Sequence, residues 1–90
     1  MSYDLSFSAL ASKKLKKMDK RNASYILKRL EKVANSPAHF LEPLYRIDAY
    51  KVRAGDYRII VQCNQEQETL FVMTLGDRST IYKEIQRLKI

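Results

Sequence analysis

Ninety residues make one small domain, spanning 1–90, with room for a single sheet-and-helix core and not for two. Seventeen Lys and Arg against ten Asp and Glu give a net charge of +7, electrostatic footing for nucleic acid or another polyanion. One cysteine, Cys63, excludes an intramolecular disulfide, His39 is the only histidine so no zinc-type ligand set exists, and the longest apolar run, 70–73, is far short of a membrane span.

The opening Met-Ser-Tyr-Asp-Leu has neither a basic n-region nor an apolar h-region, so no secretory signal is read and a cytoplasmic protein is expected. Tyr3, Leu5 and Phe7 alternate with Ser2, Asp4 and Ser6, which predicts a half-buried strand. Ser6 or Ser8 then caps a helix whose Ala11, Leu15 and Met18 fall on one face. Asp19 is the N-cap of a second helix, where Ala23, Ile26, Leu27, Leu30, Val33 and Ala34 repeat at three and four until Asn35 and Pro37. With so short a joint between them, the two helices read as a hairpin packed on a sheet. Residues 36–43 read as a loop, with His39 on its surface.

Three strands follow: 44–54 as one long or kinked strand, 57–63, and 69–75, with a polar turn at 64–68. Gly55-Asp56 joins the first two of these, and glycine at the first central position suits a two-residue type II′ turn. That turn sets the register. Ala54 faces Tyr57, Arg53 faces Arg58 and Lys51 faces Ile60, so Lys51, Arg53 and Arg58 share one side. Tyr50, Val52, Ala54, Tyr57, Ile59, Val61 and Cys63 form the core side, where Cys63 reads as a small core residue rather than a nucleophile. After Gly76 a turn through Asp77-Arg78-Ser79 leads into a last helix with Ile81, Ile85 and Leu88 on one face. The order β-α-α-β-β-β-α indicates an α+β domain, a mainly antiparallel sheet covered on one side by the helical hairpin.

Like charges directly opposite one another across two strands destabilise a sheet by roughly 0.2–1 kcal/mol. Arg53 against Arg58 makes sense if an anion sits between them, and phosphate matches the arginine fork. Both arginines also have Asp48, Asp56 and Asp77 as possible surface partners. Arg78 and Tyr82, four apart at the start of the last helix, lie on its first turn, where unpaired backbone N–H groups suit an anion and positive charge favours a phenolate. Spacing alone favours the plainer alternative, in which Tyr82 packs beside Ile81 and Ile85. A second basic region lies in the helical pair. Lys13, Lys14, Lys16, Lys17, Lys20, Arg21, Lys28, Arg29 and Lys32 are interrupted only by Asp19 and Glu31, while the remainder of the chain is nearly balanced.

The basic helical pair, the segment Tyr50-Lys51-Val52-Arg53-Ala54-Gly55-Asp56-Tyr57-Arg58-Ile59-Ile60 and the ending Leu75-Gly76-Asp77-Arg78-Ser79-Thr80-Ile81-Tyr82 together resemble the RelE branch of the RelE/ParE toxin superfamily, over essentially the whole chain. The resemblance implies a toxin of a type II toxin–antitoxin system, a ribonuclease that cuts messenger RNA in the ribosomal A site without metal or cofactor. It implies a cognate antitoxin, here acidic and amphipathic, and the ribosome and mRNA as partners, with no membrane. Carried over residue by residue, it gives catalytic roles to Lys51, Arg53, Arg58, Arg78 and Tyr82. Tyr82 is the candidate base, although a lysine or a neighbouring group could serve instead. Arg58 and Arg78 would hold the scissile phosphate, and Lys51 would protonate the leaving oxygen. The nine basic residues of the helical pair are the expected RNA and ribosome contact. The last helix, short and terminal, is an element that antitoxin could displace or cover. Two further functions remain open on sequence grounds: a ParE-like inhibitor of DNA gyrase, and a catalytically inactive RNA-binding module of the same fold.

Overall fold

A computed structural model of the chain describes residues 2–88, the last of them by its backbone alone. Its elements are β1 (Asp4–Phe7), α1 (Ala9–Lys17), α2 (Lys20–Asn35), α3 (Pro37–Phe40), β2 (Glu42–Pro43), β3 (Tyr50–Ala54), β4 (Tyr57–Asn64), β5 (Thr69–Asp77) and α4 (Arg78–Leu88). The five strands form one sheet in the order β1-β5-β4-β3-β2, antiparallel except where β1 runs parallel to β5. The expected α+β order therefore stands, with one short helix and one short strand added inside the segment read as a loop. No helix among the described residues is long and apolar enough to cross a membrane.

Local chemistry fixes the helix ends. Ser8, not Ser6, caps α1: its Oγ accepts from the Ala11 N–H at 3.0 Å and donates to the Met73 carbonyl at 2.6 Å, tying the cap to β5. Asp19 caps α2 by accepting from the Arg21 N–H at 2.8 Å. Pro37 begins α3, where its fixed φ is already helical and its missing N–H costs nothing. The helical pair packs on one face of the sheet. Ala11, Ile26, Leu30, Val33 and Ala34 meet Val52, Ala54, Ile59, Val61, Leu70, Val72 and Leu75, with Tyr50, Tyr57 and Cys63 half-buried at the edges. Leu27, counted in the buried stripe from its spacing, lies at the flank of α2 and is exposed.

The opposite face is not left open, as the sequence reading has it. There α4 lays Ile81 and Ile85 over Ile60 and Ala49, with Leu44, Ile47 and Met73 around them; the Leu88 side chain, expected on the same stripe, is outside the described set. A break in the β4–β5 register makes this second core possible. Ile60 pairs with Thr74 but Val61 pairs with Val72, so Met73 is an extra residue, a β-bulge that reverses the alternation of β5. Leu70 and Val72 before the bulge and Leu75 after it all reach the main core, while Met73 and Thr74 turn toward α4.

Residues 44–49 are not strand. Arg46 adopts φ +64, a left-handed conformation incompatible with a ladder, and the segment folds back through hydrogen bonds from the Leu44 N–H to the Ala49 carbonyl (3.0 Å) and from the Ala49 N–H to that of Ile47 (2.8 Å). The fold-back sends Leu44, Ile47 and Ala49 to the α4 side. The turn at Asp77-Arg78-Ser79 is likewise absent: β5 continues to Asp77 and α4 begins at Arg78.

A polar clamp completes the attachment of α4. Lys14 on α1 pairs with Glu84 on α4, Lys14 Nζ donates to Thr74 Oγ1 at 2.8 Å, and Thr74 Oγ1 donates to Glu84 Oε1 at 2.8 Å. Burial pushes the Glu84 carboxyl up, but the bonds from Lys14 and Thr74 outweigh it and hold the pKa below its ordinary value near 4.5. A depressed carboxylate adds stability that is fully present above its unfolded pKa and is lost as the pH falls through its folded one. Glu84→Gln is therefore expected to lower unfolding free energy at pH 7, with the gap to wild type closing as the pH drops below about 4.5. Urea titrations of both proteins across pH 3–7 measure this, and a pH-independent gap would refute the clamp.

Candidate functional site

The β3–β4 hairpin has the expected register: Ala54 opposite Tyr57, Arg53 opposite Arg58 and Lys51 opposite Ile60. Gly55 takes φ +61 and Asp56 does not share it, as a type II′ turn requires. Across the next ladder Arg58 faces Gly76, and α4 starts two residues later, so the hairpin cations and the first turn of α4 meet on one side of the sheet.

Arg58 is the fixed member of this group. Only 8% of its surface is exposed. Its Nη1 donates to the carbonyls of Gly55 and Tyr57, both at 2.8 Å, which locks the guanidinium to its own turn, while its Nε is buried with no partner. An unsatisfied buried donor is uncommon and costly. Tyr82, 38% exposed, projects from the first turn of α4. Lys51 Nζ stands 5.8 Å from its ring centre and Arg78 Cζ 6.0 Å. The Tyr82 phenol is held below its ordinary pKa of 10, first by the hydrogen bond that Arg58 offers it; burial opposes this, and the charges of Lys51, Arg58 and Arg78 add to it. Tyr82 thus does not retire beside Ile81 and Ile85, which go into the second core without it.

Of the five residues singled out from sequence, the structure gathers four, Lys51, Arg58 and Arg78 around Tyr82. Arg53 stands at the margin, its side chain 64% exposed and its Nε 3.5 Å from a carboxylate oxygen of Glu42. That acid also lies 3.7 Å from Lys51 Nζ. Neither arginine pairs with Asp48, Asp56 or Asp77 among the described residues. Glu42 was missed because it precedes Pro43 in a segment read as loop; only the two-residue strand β2 places it opposite Lys51.

The start of α4 is also not an open anion site. Asp77 occupies it: its Oδ1 accepts from the Thr80 N–H (2.9 Å) and Ser79 Oγ (3.0 Å), and its Oδ2 from Thr80 Oγ1 (3.1 Å). These bonds, that from the Thr80 backbone foremost, lower the Asp77 pKa. What remains is a shallow depression lined by Asp56, Asp77, Arg78, Ser79 and Tyr82.

In the second basic region Lys13, Lys16, Lys17, Lys20, Arg21, Lys28 and Lys32 are exposed. Lys14 is committed to the clamp on Glu84, and Arg29 lies over the Phe40 ring at 5.6 Å. His39 is exposed on α3, edge-on to Phe40. Among the described residues no three of His, Cys, Asp and Glu come together as a metal-binding set.

Residues 5–82 match the family described as the ParE toxin of type II toxin–antitoxin systems, parDE. The mRNA interferase toxin RelE of Escherichia coli (strain K12) is 32% identical over 89 residues, covering 93% of this chain and 94% of its own. Among solved structures, the toxin–antitoxin complex RelBE2 of Mycobacterium tuberculosis shares the fold with a TM-score of 0.80 at 21% identity, covering 87% of this chain and all of its own. The intact E. coli RelBE complex matches with a TM-score of 0.72 at 28% identity, over 86% of this chain and 98% of its own.

The charges around Tyr82 make a spectroscopic prediction. In ultraviolet pH titrations, wild type minus Tyr82→Phe should reveal a phenol ionising below the ordinary value near 10. Arg58→Met should move that transition upward more than Arg78→Met does. Equal, unshifted curves in all three proteins would show that the cations do not act on Tyr82.

Proposed function

The chain belongs to the ParE-toxin family of type II toxin–antitoxin systems and is a RelE-type toxin within it, and we propose that it is a metal-independent endoribonuclease that cleaves messenger RNA in the ribosomal A site. The observation that carries this reading is the convergence of Lys51, Arg58 and Arg78 on the Tyr82 phenol.

The chemistry is a transesterification within the RNA. The Tyr82 phenolate takes the proton of a 2′-hydroxyl, and the 2′ oxygen attacks the adjacent phosphorus. The bond from phosphorus to the 5′ oxygen breaks, leaving a 2′,3′-cyclic phosphate on one fragment. Lys51 gives a proton to the departing 5′ oxygen, so the other fragment ends in a 5′-hydroxyl. An arginine is a poor proton donor because its pKa exceeds about 12, which leaves Arg58 and Arg78 to hold the phosphate oxygens as charge builds on them. Arg58 is suited to this because its position is set in advance by two backbone carbonyls, so little reorganisation accompanies the reaction. The marginal Arg53 contributes to the local field and to RNA backbone contact. The partners are the ribosome, its message and a cognate antitoxin whose acidic, amphipathic segment orders on binding this basic surface.

The match to ParE toxins favours a second reading, inhibition of DNA gyrase, which would have no use for a phenol among cations. One induction experiment separates the two. Wild type should arrest growth and leave ribosome-bound messages with 5′-hydroxyl ends. Tyr82→Phe and Arg78→Ala, both changes at exposed side chains, should lower cleavage at least about 100-fold without loss of fold. Arrest with intact messages and broken DNA would establish the gyrase reading instead.

The exposed lysines of α1 are assigned to ribosomal RNA. Reversing Lys13, Lys16 and Lys17 to glutamate should weaken ribosome co-sedimentation and flatten its dependence on salt, since fewer phosphate counterions are released. Unchanged binding at every ionic strength would remove them from the contact.

A further inference from the structure

Glu42 is the one carboxylate among the described residues that pairs with the cations of the site. It sits on the short edge strand β2 directly opposite Lys51, so both side chains leave the sheet on the catalytic side. One oxygen, Oε2, serves both Lys51 Nζ at 3.7 Å and Arg53 Nε at 3.5 Å. Arg58 and Arg78 have no carboxylate partner among the described residues. The cluster is therefore divided into a half that the chain's own acid neutralises and a half, Arg58 and Arg78, that is open only in the sense that no carboxylate among the described residues pairs with it.

We propose that Glu42 is a displaceable counter-anion, which holds the Lys51–Arg53 half of the site until an RNA phosphate takes its place. The exchange is feasible because both partners of the Glu42–Arg53 pair are largely exposed, and such pairs are weak. A phosphate, with more acceptor oxygens and a geometry matched to the arginine fork, competes well once it is aligned. Alignment comes from the open half. A strand whose phosphate is seated by Arg58 and Arg78 delivers its neighbour to Lys51 and Arg53, whereas a polyanion in passing meets a site already half neutralised. Glu42 thus weakens the binding of any polyanion whose phosphate must take its place. The identity of the ligand as RNA rests on the ribonuclease reading, but the exchange itself needs no cleavage to be observed.

The test is fluorescence anisotropy of a labelled 2′-O-methyl oligoribonucleotide, which has no free 2′-hydroxyl and cannot be cut, titrated with the purified full chain at several salt concentrations. Glu42→Gln should bind about two- to tenfold more tightly than wild type near 0.1 M salt. Its plot of log affinity against log salt should also steepen, by up to about 0.7 for an additional phosphate neutralised on a single strand. Glu42→Asp, whose shorter side chain cannot serve both cations as well, should fall between the two. In a background carrying Lys51→Gln and Arg53→Gln, the effect of Glu42→Gln should disappear. Equal or weaker binding by Glu42→Gln, no detectable binding by either protein, or an undiminished effect in that background would each overturn the proposal. Cleavage of ribosome-bound message by wild type, measured in parallel, decides the ribonuclease reading separately.

Discussion

The arrangement of the site depends on one guanidinium taken out of water at the mouth of a hairpin. A buried cation is tolerable only where its donors find partners, and Arg58 finds two in the carbonyls of Gly55 and Tyr57 beside the turn that Gly55 makes possible. Those bonds fix the charge in space before any ligand arrives. They do not exhaust it, since Nε is left over. Tyr82 comes to lie against Arg58 because β5 and α4 carry it there, and its lowered pKa follows first from Arg58 and then from the charges of Lys51 and Arg78. A preset positive centre with further cations around it supplies the charge and the donors that an oxyanion needs.

For that geometry to last, α4 must stay seated, and three different interactions hold it. Asp77 caps its first turn, Ile81 and Ile85 bury against Ile60 and Ala49, and Glu84 is clamped by Lys14 and Thr74. The bulge at Met73 is common to the last two, because it turns both Met73 and Thr74 toward the helix. The ammonium of Lys14 and the hydroxyl of Thr74 link α1 to α4 across the sheet strand between them, so the basic helical pair and α4 are mechanically connected. None of the attachments is large. An attachment made of a cap, a small apolar patch and one part-exposed ion pair is the kind that a competing amphipathic segment can replace piece by piece.

What the sequence disclosed and what it concealed divide along a physical line. The hairpin was legible because Gly55-Asp56 dictates a turn, the turn dictates a register, and strict alternation then assigns Lys51, Arg53 and Arg58 to one side. The helices were legible because caps and apolar spacing are local signals. The bulge was not, since Leu70-Phe71-Val72-Met73-Thr74-Leu75 is apolar on both parities and gives no mark of where the alternation reverses. Nor was the fold-back at 44–49, where Leu44, Ile47 and Ala49 imitate a strand and only the left-handed Arg46 departs from it. Glu42 escaped because a two-residue strand with a proline in it has no sequence signature. The site's cations come from local patterns; its acid comes from a long-range pairing.

The two basic regions differ in kind. On the helical pair the lysines are spread over exposed turns, so their field acts at a distance, sums with the net charge of +7 and fades with salt. Such a surface attracts polyanions without choosing among them. In the cluster, Lys51 and Arg78 stand 5.8 Å and 6.0 Å from the ring centre of a phenol and Arg58 is buried beside it, so their influence on Tyr82 is short in range. Under the proposed function, that second arrangement acts on a phosphate already brought within a few ångströms. On that reading attraction and chemistry sit on different elements, and with Lys14 spent on holding α4, a residue of the basic helical pair becomes part of what keeps the cluster around Tyr82 in place.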